Sequence, residues 1–142
     1  MKVAIGNDHA GTILKNKIVY FLSMKNIVVI NHGSDSTESV DYPDFVHPVV
    51  NDIIKSKVNF GILLCGTANG VAMTANKEKN IRAGVCWNKE IASLIRKHNN
   101  ANILCIPARF ISTEILLEIV ETFLNTEFEG GRHQRRINKI NN

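Results

Sequence analysis

The chain has 142 residues, of which 44% are hydrophobic and 21% charged, and its formal net charge is +4. This composition is typical of a globular protein with a full core, so we expect one domain over residues 1–142 and not a disordered chain. No apolar run approaches the roughly 18 residues of a membrane-spanning helix, which argues against a membrane protein. The N-terminus leads directly into a strand-like segment, so we expect a cytoplasmic location.

The cysteines and the basic residues exclude further classes. Three cysteines, without metal-type pairing, argue against a disulfide framework and against a zinc site. Much of the positive charge lies near the end, in RHQRRINK. A basic tail can bind nucleic acid, but this one has no aromatic residue, and a small phosphorylated metabolite explains a few arginines equally well. We therefore expect no nucleic-acid partner.

Strand and helix patterns alternate along the whole chain. Residues 27–30 are continuous in valine and isoleucine, which is typical of a strand buried on both faces. Pro48 is expected in or near the first turn of its helix. In chain order the predicted elements are strand 2–5, helix 11–25, strand 27–30, loop 31–43, helix 44–57, strand 59–64, helix 70–77, strand 81–86, helix 89–97, strand 101–106, helix 112–124 and a short basic segment.

This alternation predicts the fold. Strands separated by helices, without an internal repeat or a low-complexity linker, indicate a five-stranded parallel sheet with helices on both faces. We therefore expect a three-layer α/β/α Rossmann-like domain. Ligands of such sheets bind beyond the carboxyl ends of the strands.

The most informative segment is NFGILLCGTANG, residues 59–70. A short apolar run stops at Cys65 and is followed by a loop that contains Gly66 and Gly70. This pattern predicts a buried strand, a tight turn and a helix start, with several backbone amides converging beyond the thiol. A thiolate, or an oxyanion forming on a substrate, would be stabilised there.

Other polar residues suit the same edge of the sheet. Asp8 and His9 follow the first predicted strand, and Tyr42 lies in the loop after the second. His98 and Asn99 are exceptions, because they come just before the fifth strand. They would have to reach another part of the surface, such as the site of a neighbouring subunit.

Each of these residues also has an ordinary structural interpretation. Cys86 and Cys105 are interpreted as small buried hydrophobic residues, because no glycine loop follows either one. For the others both interpretations stay open: His9 as a helix cap, Asp8 as a turn residue, Tyr42 as a packing residue, Cys65 as a buried hydrophobic residue, Thr67 as a hydroxyl bonded to local backbone, and His98 as a histidine at a helix C-terminus.

Taken together, the motifs resemble those of the type B ribose-5-phosphate isomerases, part of a wider group that includes galactose-6-phosphate and allose-6-phosphate isomerases. They occur in the family's order and spacing from near the first residue to near the last. The matching motifs are NDHAG (7–11), DYPDF (41–45), CGTANG (65–70), ANKEKNIRAGVC (75–86), HNNANIL (98–104) and GGRHQRRI (130–137).

The resemblance implies an aldose–ketose isomerase of the non-oxidative pentose phosphate pathway. Such an enzyme interconverts ribose 5-phosphate and ribulose 5-phosphate through a cis-enediolate, and needs no metal or organic cofactor. By this resemblance Cys65 removes the proton from C2, Thr67 assists proton movement between the substrate oxygens, and His98 opens the sugar ring.

The resemblance also implies the binding residues and an oligomer. Family members are dimers with sites built across the interface, so Asn99 and Arg109 are candidates for the partner's site; a tetramer stays open. The implied substrate-binding residues are Gly66, Ala68, Asn69 and Gly70 as the anion hole, Asp8, Tyr42 and Asn99 for the ring and hydroxyls, and His9, Arg109, Arg132 and Arg136 for the phosphate.

One departure concerns the anion-hole loop. The family loop usually reads CGTG followed by a variable residue and glycine, whereas Ala68 and Asn69 stand in the middle here. If position 68 needs a positive φ, alanine is strained there by roughly 1 kcal/mol or more. We expect the anion hole to survive, because Gly66 and Gly70 remain.

Two alternatives remain. A six-carbon sugar phosphate, such as allose 6-phosphate or galactose 6-phosphate, would use the same loop. A non-catalytic sugar-phosphate- or nucleotide-binding protein could have the same fold, since fold alone does not establish catalysis.

Overall fold

The computed structural model describes residues 1–140, and their elements follow the predicted alternation of strands and helices. A short 3-10 turn, His9–Gly11, precedes the first α-helix. In chain order the elements are β1 (Lys2–Asn7), α1 (Thr12–Met24), β2 (Val28–Asn31), α2 (Pro43–Ile54), β3 (Phe60–Cys65), α3 (Asn69–Ala75), β4 (Ala83–Val85), α4 (Lys89–Asn99), β5 (Ile103–Pro107), α5 (Thr113–Asn125) and α6 (Arg132–Ile137).

The five strands form one parallel sheet in the order β2-β1-β3-β5-β4. The predicted parallel sheet is therefore confirmed. Because all strands run the same way, their carboxyl ends share one edge of the sheet and their amino ends share the opposite edge. A helix that joins two strands runs back from the carboxyl edge, so its last residues lie at the amino edge.

Apolar side chains pack on both faces of the sheet, which confirms the three-layer architecture. Alternate residues of one strand point to opposite faces. On one face Ile62 and Leu64 of β3 lie in a core with residues of α1 and α5; on the other, Leu63 and Cys65 pack with residues of α2 and α3. None of the helices described over residues 1–140 is long and apolar enough to cross a bilayer.

Two expectations about the strands are corrected. The strand at 27–30 was expected to be buried on both faces, but β2 is an edge strand and Val28 is 54% exposed. A valine- and isoleucine-rich run does not distinguish an edge strand from a central one. The strand expected over 81–86 is only Ala83–Val85, at the other edge of the sheet.

Two expectations about the helices also change. Pro43 occupies the first turn of α2 and Pro48 lies inside the helix. A proline at a helix start loses no hydrogen bond, whereas Pro48 cannot donate one to the preceding turn. The basic segment at the end of the chain contains helix α6, which was not predicted. Helix α5 is capped by Ser112, whose side chain accepts a hydrogen bond from the amide of Ile115.

Candidate active site

The predicted site residues form two groups at opposite edges of the sheet. The cysteine cluster lies at the carboxyl edge, and the histidine cluster lies where α4 ends, at the amino edge. The cysteine cluster consists of Asp8, His9, Tyr42, Cys65, Gly66, Thr67, Ala68, Asn69, Gly70 and Arg109. The histidine cluster consists of His98, Asn99, Arg132, His133 and Arg136.

The tight turn after β3 wraps the backbone around the thiol of Cys65. The amide of Ala68 donates a hydrogen bond to the sulfur of Cys65 at 3.2 Å. Ala68 is fully buried and has φ +64°, the left-handed conformation that disfavours residues with a Cβ. Position 68 therefore does adopt a positive φ, and alanine is strained there. The turn directs backbone donors toward the space beyond the strand.

Thr67 and Asn69 complete the start of α3. The hydroxyl of Thr67 accepts a hydrogen bond from the amide of Asn69 at 3.4 Å. This bond agrees with the structural interpretation of Thr67 as a hydroxyl bonded to local backbone. Thr67 is nevertheless exposed, so its hydroxyl stays accessible to a ligand. Gly70 and Val71 lie in the first turn of α3, where their amides have no intrahelical carbonyl to donate to.

Tyr42 lies directly over Gly70. A Cβ at Gly70 would come within 2.5–2.8 Å of the phenol carbon and oxygen atoms of Tyr42, so any other residue would displace this ring. Tyr42 precedes α2 and remains 38% exposed. Its hydroxyl is thereby held at the N-terminus of α3, beside the loop amides.

Arg109 brings positive charge to the same loop. Its backbone amide donates to the carbonyl of Gly66 at 3.2 Å, and its side chain would lie 3.3 Å from a Cβ placed on Gly66. The loop after β5 therefore packs on the loop after β3 within one chain. The resemblance made Arg109 a candidate for a partner's site, and that role remains a prediction.

Asp8 and His9 are held by the backbone around them. One carboxylate oxygen of Asp8 accepts from the amide of Ala10 at 2.9 Å and caps the 3-10 turn. The cap is therefore Asp8 and not His9. The Nδ1 of His9 accepts from the amide of Val40 at 3.3 Å. This bond leaves the Nε2 of His9 as the ring nitrogen that carries hydrogen and can donate to a ligand.

The histidine cluster is built on the end of α4 and on α6. The rings of His98 and His133 stack with centroids 4.3 Å apart and planes inclined by 13°. Asn99 and Arg136 line the same cavity of about 350 Å³. Burial lowers the pKa of His133, the positive charges of Arg132 and Arg136 lower it further, and the carboxylate of Glu129 opposes them.

His133 is the residue of this cluster that the sequence did not indicate. It lies inside the GGRHQRRI motif, where the two neighbouring arginines attract attention as phosphate ligands. In helix α6 the imidazole of His133 lies on the buried side, against His98. The sequence would have indicated this position only if the segment had been predicted to be helical. Three basic residues in six positions do not suggest a helix with a buried face.

The other two cysteines stay outside both clusters. Cys86 and Cys105 are fully buried. Burial raises the pKa of Cys86 to about 12 and raises the pKa of Cys105 well above its usual value. A buried thiol of this kind is chemically inert. Their predicted role as small buried hydrophobic residues is confirmed.

Within one chain, the cysteine and histidine clusters do not share a pocket. Cys65 ends β3, whereas His98 lies just before β5 begins, so the length of a strand separates them. At ~3.3 Å per residue, five to six residues correspond to roughly 16–20 Å. His9 and Arg109 are likewise remote from Arg132 and Arg136. One chain therefore holds the predicted site residues at two separate places, one at each edge of the sheet.

This chain is similar in sequence and fold to proteins named as ribose-5-phosphate isomerases. A ribose-5-phosphate isomerase B of Escherichia coli is 41% identical over 139 residues, covering 98% of this chain and 93% of that protein. A ribose 5-phosphate isomerase of Thermotoga maritima has 51% identity and a TM-score of 0.96, covering 98% of this chain and 96% of that one. The enzyme of Mycoplasma genitalium with bound ribulose-5-phosphate has 42% identity and a TM-score of 0.93, covering 98% and 93%.

The family model for ribose/galactose isomerases matches residues 3–140, nearly the whole chain. The match includes both clusters and all five strands. Sequence, fold and similarity agree, and the chain belongs to the ribose/galactose isomerase family.

Proposed function

We propose that this protein interconverts ribose 5-phosphate and ribulose 5-phosphate. Family membership and the named activities of the E. coli and T. maritima relatives support this reaction, as does the ribulose-5-phosphate bound to the M. genitalium enzyme. The observation that carries the proposal is the turn at Cys65, where a thiol meets a backbone amide at the carboxyl edge of a parallel sheet. A cytoplasmic location is part of the proposal.

The chemical step requires a base at carbon, which we assign to Cys65. Its thiolate removes the proton from C2 of the open-chain aldose, and the C–H electrons form a double bond between C2 and C1. The carbonyl oxygen on C1 becomes the oxyanion of a cis-enediolate. Thr67 helps the hydroxyl proton on O2 to move to O1, and the thiol returns its proton to C1 to give the ketose.

The backbone stabilises both anions of this step. The amide of Ala68 donates to the sulfur and so favours its thiolate form. The enediolate oxygen would accept from the remaining amides of the loop from Gly66 to Gly70, with the Tyr42 hydroxyl beside them. Loss of one such donor typically lowers kcat by about 100- to 1,000-fold.

A second subunit supplies the other half of the site in this proposal. The separation of the two clusters within one chain leaves His98 and Asn99 without a role at the same chain's Cys65. In a homodimer, His98 of the second subunit would open the furanose ring together with Asp8, and Asn99 would bind a hydroxyl. His9, Arg109 and the second subunit's Arg132 and Arg136 would hold the phosphate as donors to a dianion.

Substrate choice separates this proposal from the hexose alternative. We expect purified protein, with EDTA present, to turn over ribose 5-phosphate with a kcat/KM at least about tenfold above that for allose 6-phosphate, a difference of about 1.4 kcal/mol in transition-state binding. A coupled assay on both sugars measures it. Protein carrying Cys65→Ala, purified in parallel, controls for contaminating isomerase. A preference for allose 6-phosphate would assign the chain to hexose chemistry.

The Cys65→Ala variant tests the base. We expect kcat to fall at least about 100-fold, because positioned proton transfer contributes on the order of 100- to 10,000-fold. Ribose 5-phosphate should still bind, which calorimetry measures on the variant. Turnover that is lost while binding is retained excludes the alternative of a non-catalytic binding protein, because such a protein would have no turnover to lose.

Cys86→Ala is the matched control for loss of a thiol, because Cys86 is buried and belongs to neither cluster. It should keep turnover close to that of the unmodified chain. Unchanged turnover in Cys65→Ala would remove this thiol from the mechanism.

The Ala68→Gly variant tests the strained turn. Alanine at φ +64° is strained by roughly 1–2 kcal/mol. The flexibility of glycine in the unfolded chain offsets roughly 0.5–1 kcal/mol of this strain. We expect the free energy of unfolding, measured in urea, to rise by roughly 0–1.5 kcal/mol. We expect kcat to change less than about tenfold, because the amides keep their positions. A kcat that rises by tenfold or more would mean that the methyl group compromises the anion hole.

A further inference from the structure

Three side chains with metal-ligating atoms meet at the end of α4. They are His98, Glu129 and His133, and their ligand atoms all lie within 4.8 Å of one another. Glu129 and His133 have no part in the isomerase chemistry proposed above. Two imidazoles and one carboxylate form the ligand set found in several catalytic zinc sites.

The backbone of these residues is fixed by hydrogen bonds. The amide of Glu129 donates to the carbonyl of Lys97, the residue before His98, at 3.1 Å. The amide of His133 donates to the carbonyl of Gly130 at 3.1 Å, which sets the start of α6 relative to Glu129. These two backbone hydrogen bonds hold His98, Glu129 and His133 near one another.

Metal binding requires the donor atoms to move closer together and the His98 ring to rotate, because the in-plane lone pairs of two stacked imidazoles do not point at a common ion. Zinc–ligand bonds of about 2.0–2.2 Å in a tetrahedron place neighbouring donors roughly 3.3–3.5 Å apart. The Nε2 of His133 and a carboxylate oxygen of Glu129 are 3.7 Å apart. The side chain of Glu129 is half-exposed and His98 is half-buried, so both can move the remaining ångström, with the His98 ring turning out of its stack.

We propose that His98, Glu129 and His133 bind one divalent transition metal ion such as Zn²⁺, and that this ion inhibits the enzyme. The cavity of about 350 Å³ beside His98 and His133 leaves room for a water molecule or an anion as fourth ligand. Arg132 is adjacent to His133 in the chain, and the positively charged Arg136 lines the same cavity as His133. Their repulsion weakens cation binding, which suits a reversible inhibitory site better than a permanently occupied one.

Inhibition follows from the shared histidine. A metal-bound nitrogen of His98 has no lone pair left to move a proton during ring opening, and the ion would also lie beside the cavity that Asn99 and Arg136 line. The inhibitory part of the inference rests on the proposed function, whereas metal binding itself does not. The two parts are therefore measured separately.

The experiment titrates ZnCl₂ into chelator-treated protein and follows the heat of binding by calorimetry. Thiolates also attract zinc, so the Cys65→Ala variant is titrated beside the unmodified chain. Glu129→Gln removes a ligand without touching either proposed catalytic group. Even a residue that only orients a ligand typically contributes 10- to 100-fold to metal affinity, so we expect Glu129→Gln to weaken zinc binding by at least about tenfold.

The expected result is one zinc ion per chain in both the unmodified protein and Cys65→Ala, with the weakened affinity confined to Glu129→Gln. Turnover should be inhibited by zinc, restored by EDTA and at least tenfold less sensitive to zinc in Glu129→Gln, whose zinc-free turnover is unchanged. Zinc binding that is lost in Cys65→Ala, or that is equally tight in Glu129→Gln, would overturn the proposed site. Binding at this site without inhibition would overturn the inhibitory role. Absence of turnover in zinc-free protein would refute the proposed function and leave the calorimetric result standing.

Discussion

The common direction of the five strands determines how this chain can form a site. Hydrogen bonding between parallel strands fixes their register, so all carboxyl ends lie at one edge of the sheet and each connecting helix returns to the other. Cys65 at the end of β3 and His98 at the end of α4 are separated for this reason. A sugar phosphate can meet both only if a second chain brings its histidine cluster to the cysteine cluster of the first. The isologous interface of a twofold dimer would create two such sites at once.

Local backbone geometry prepares the surroundings of the Cys65 thiol. The turn after β3 brings an amide onto the sulfur, and the amides of Gly70 and Val71 in the first turn of α3 have no intrahelical carbonyl to donate to. Ala68 adopts the left-handed conformation despite its methyl group, because burial and the bonds on either side fix the turn. Gly70 has a different reason to be glycine: the phenol of Tyr42 occupies the space of its Cβ.

The sequence was sufficient for the fold and for the cysteine cluster, because both depend on local patterns. Alternating strands and helices predicted the parallel sheet, and the glycine loop after β3 predicted the turn at Cys65. The edge position of β2 depends on strand order, which valine and isoleucine content does not encode. His133 was missed because its burial depends on the docking of α6 against α4, a contact between segments separated by β5 and α5.

The most direct measurement of a shared site combines two inactive chains. Cys65→Ala and His98→Asn subunits with different tags are expressed together, and the mixed dimer is isolated by its two tags. If Cys65 of one subunit works with His98 of the other, one of the two sites in the mixed dimer is intact, and we expect about half of the turnover of the unmodified dimer. Mixed dimers as inactive as either parent would contradict a site built across two subunits.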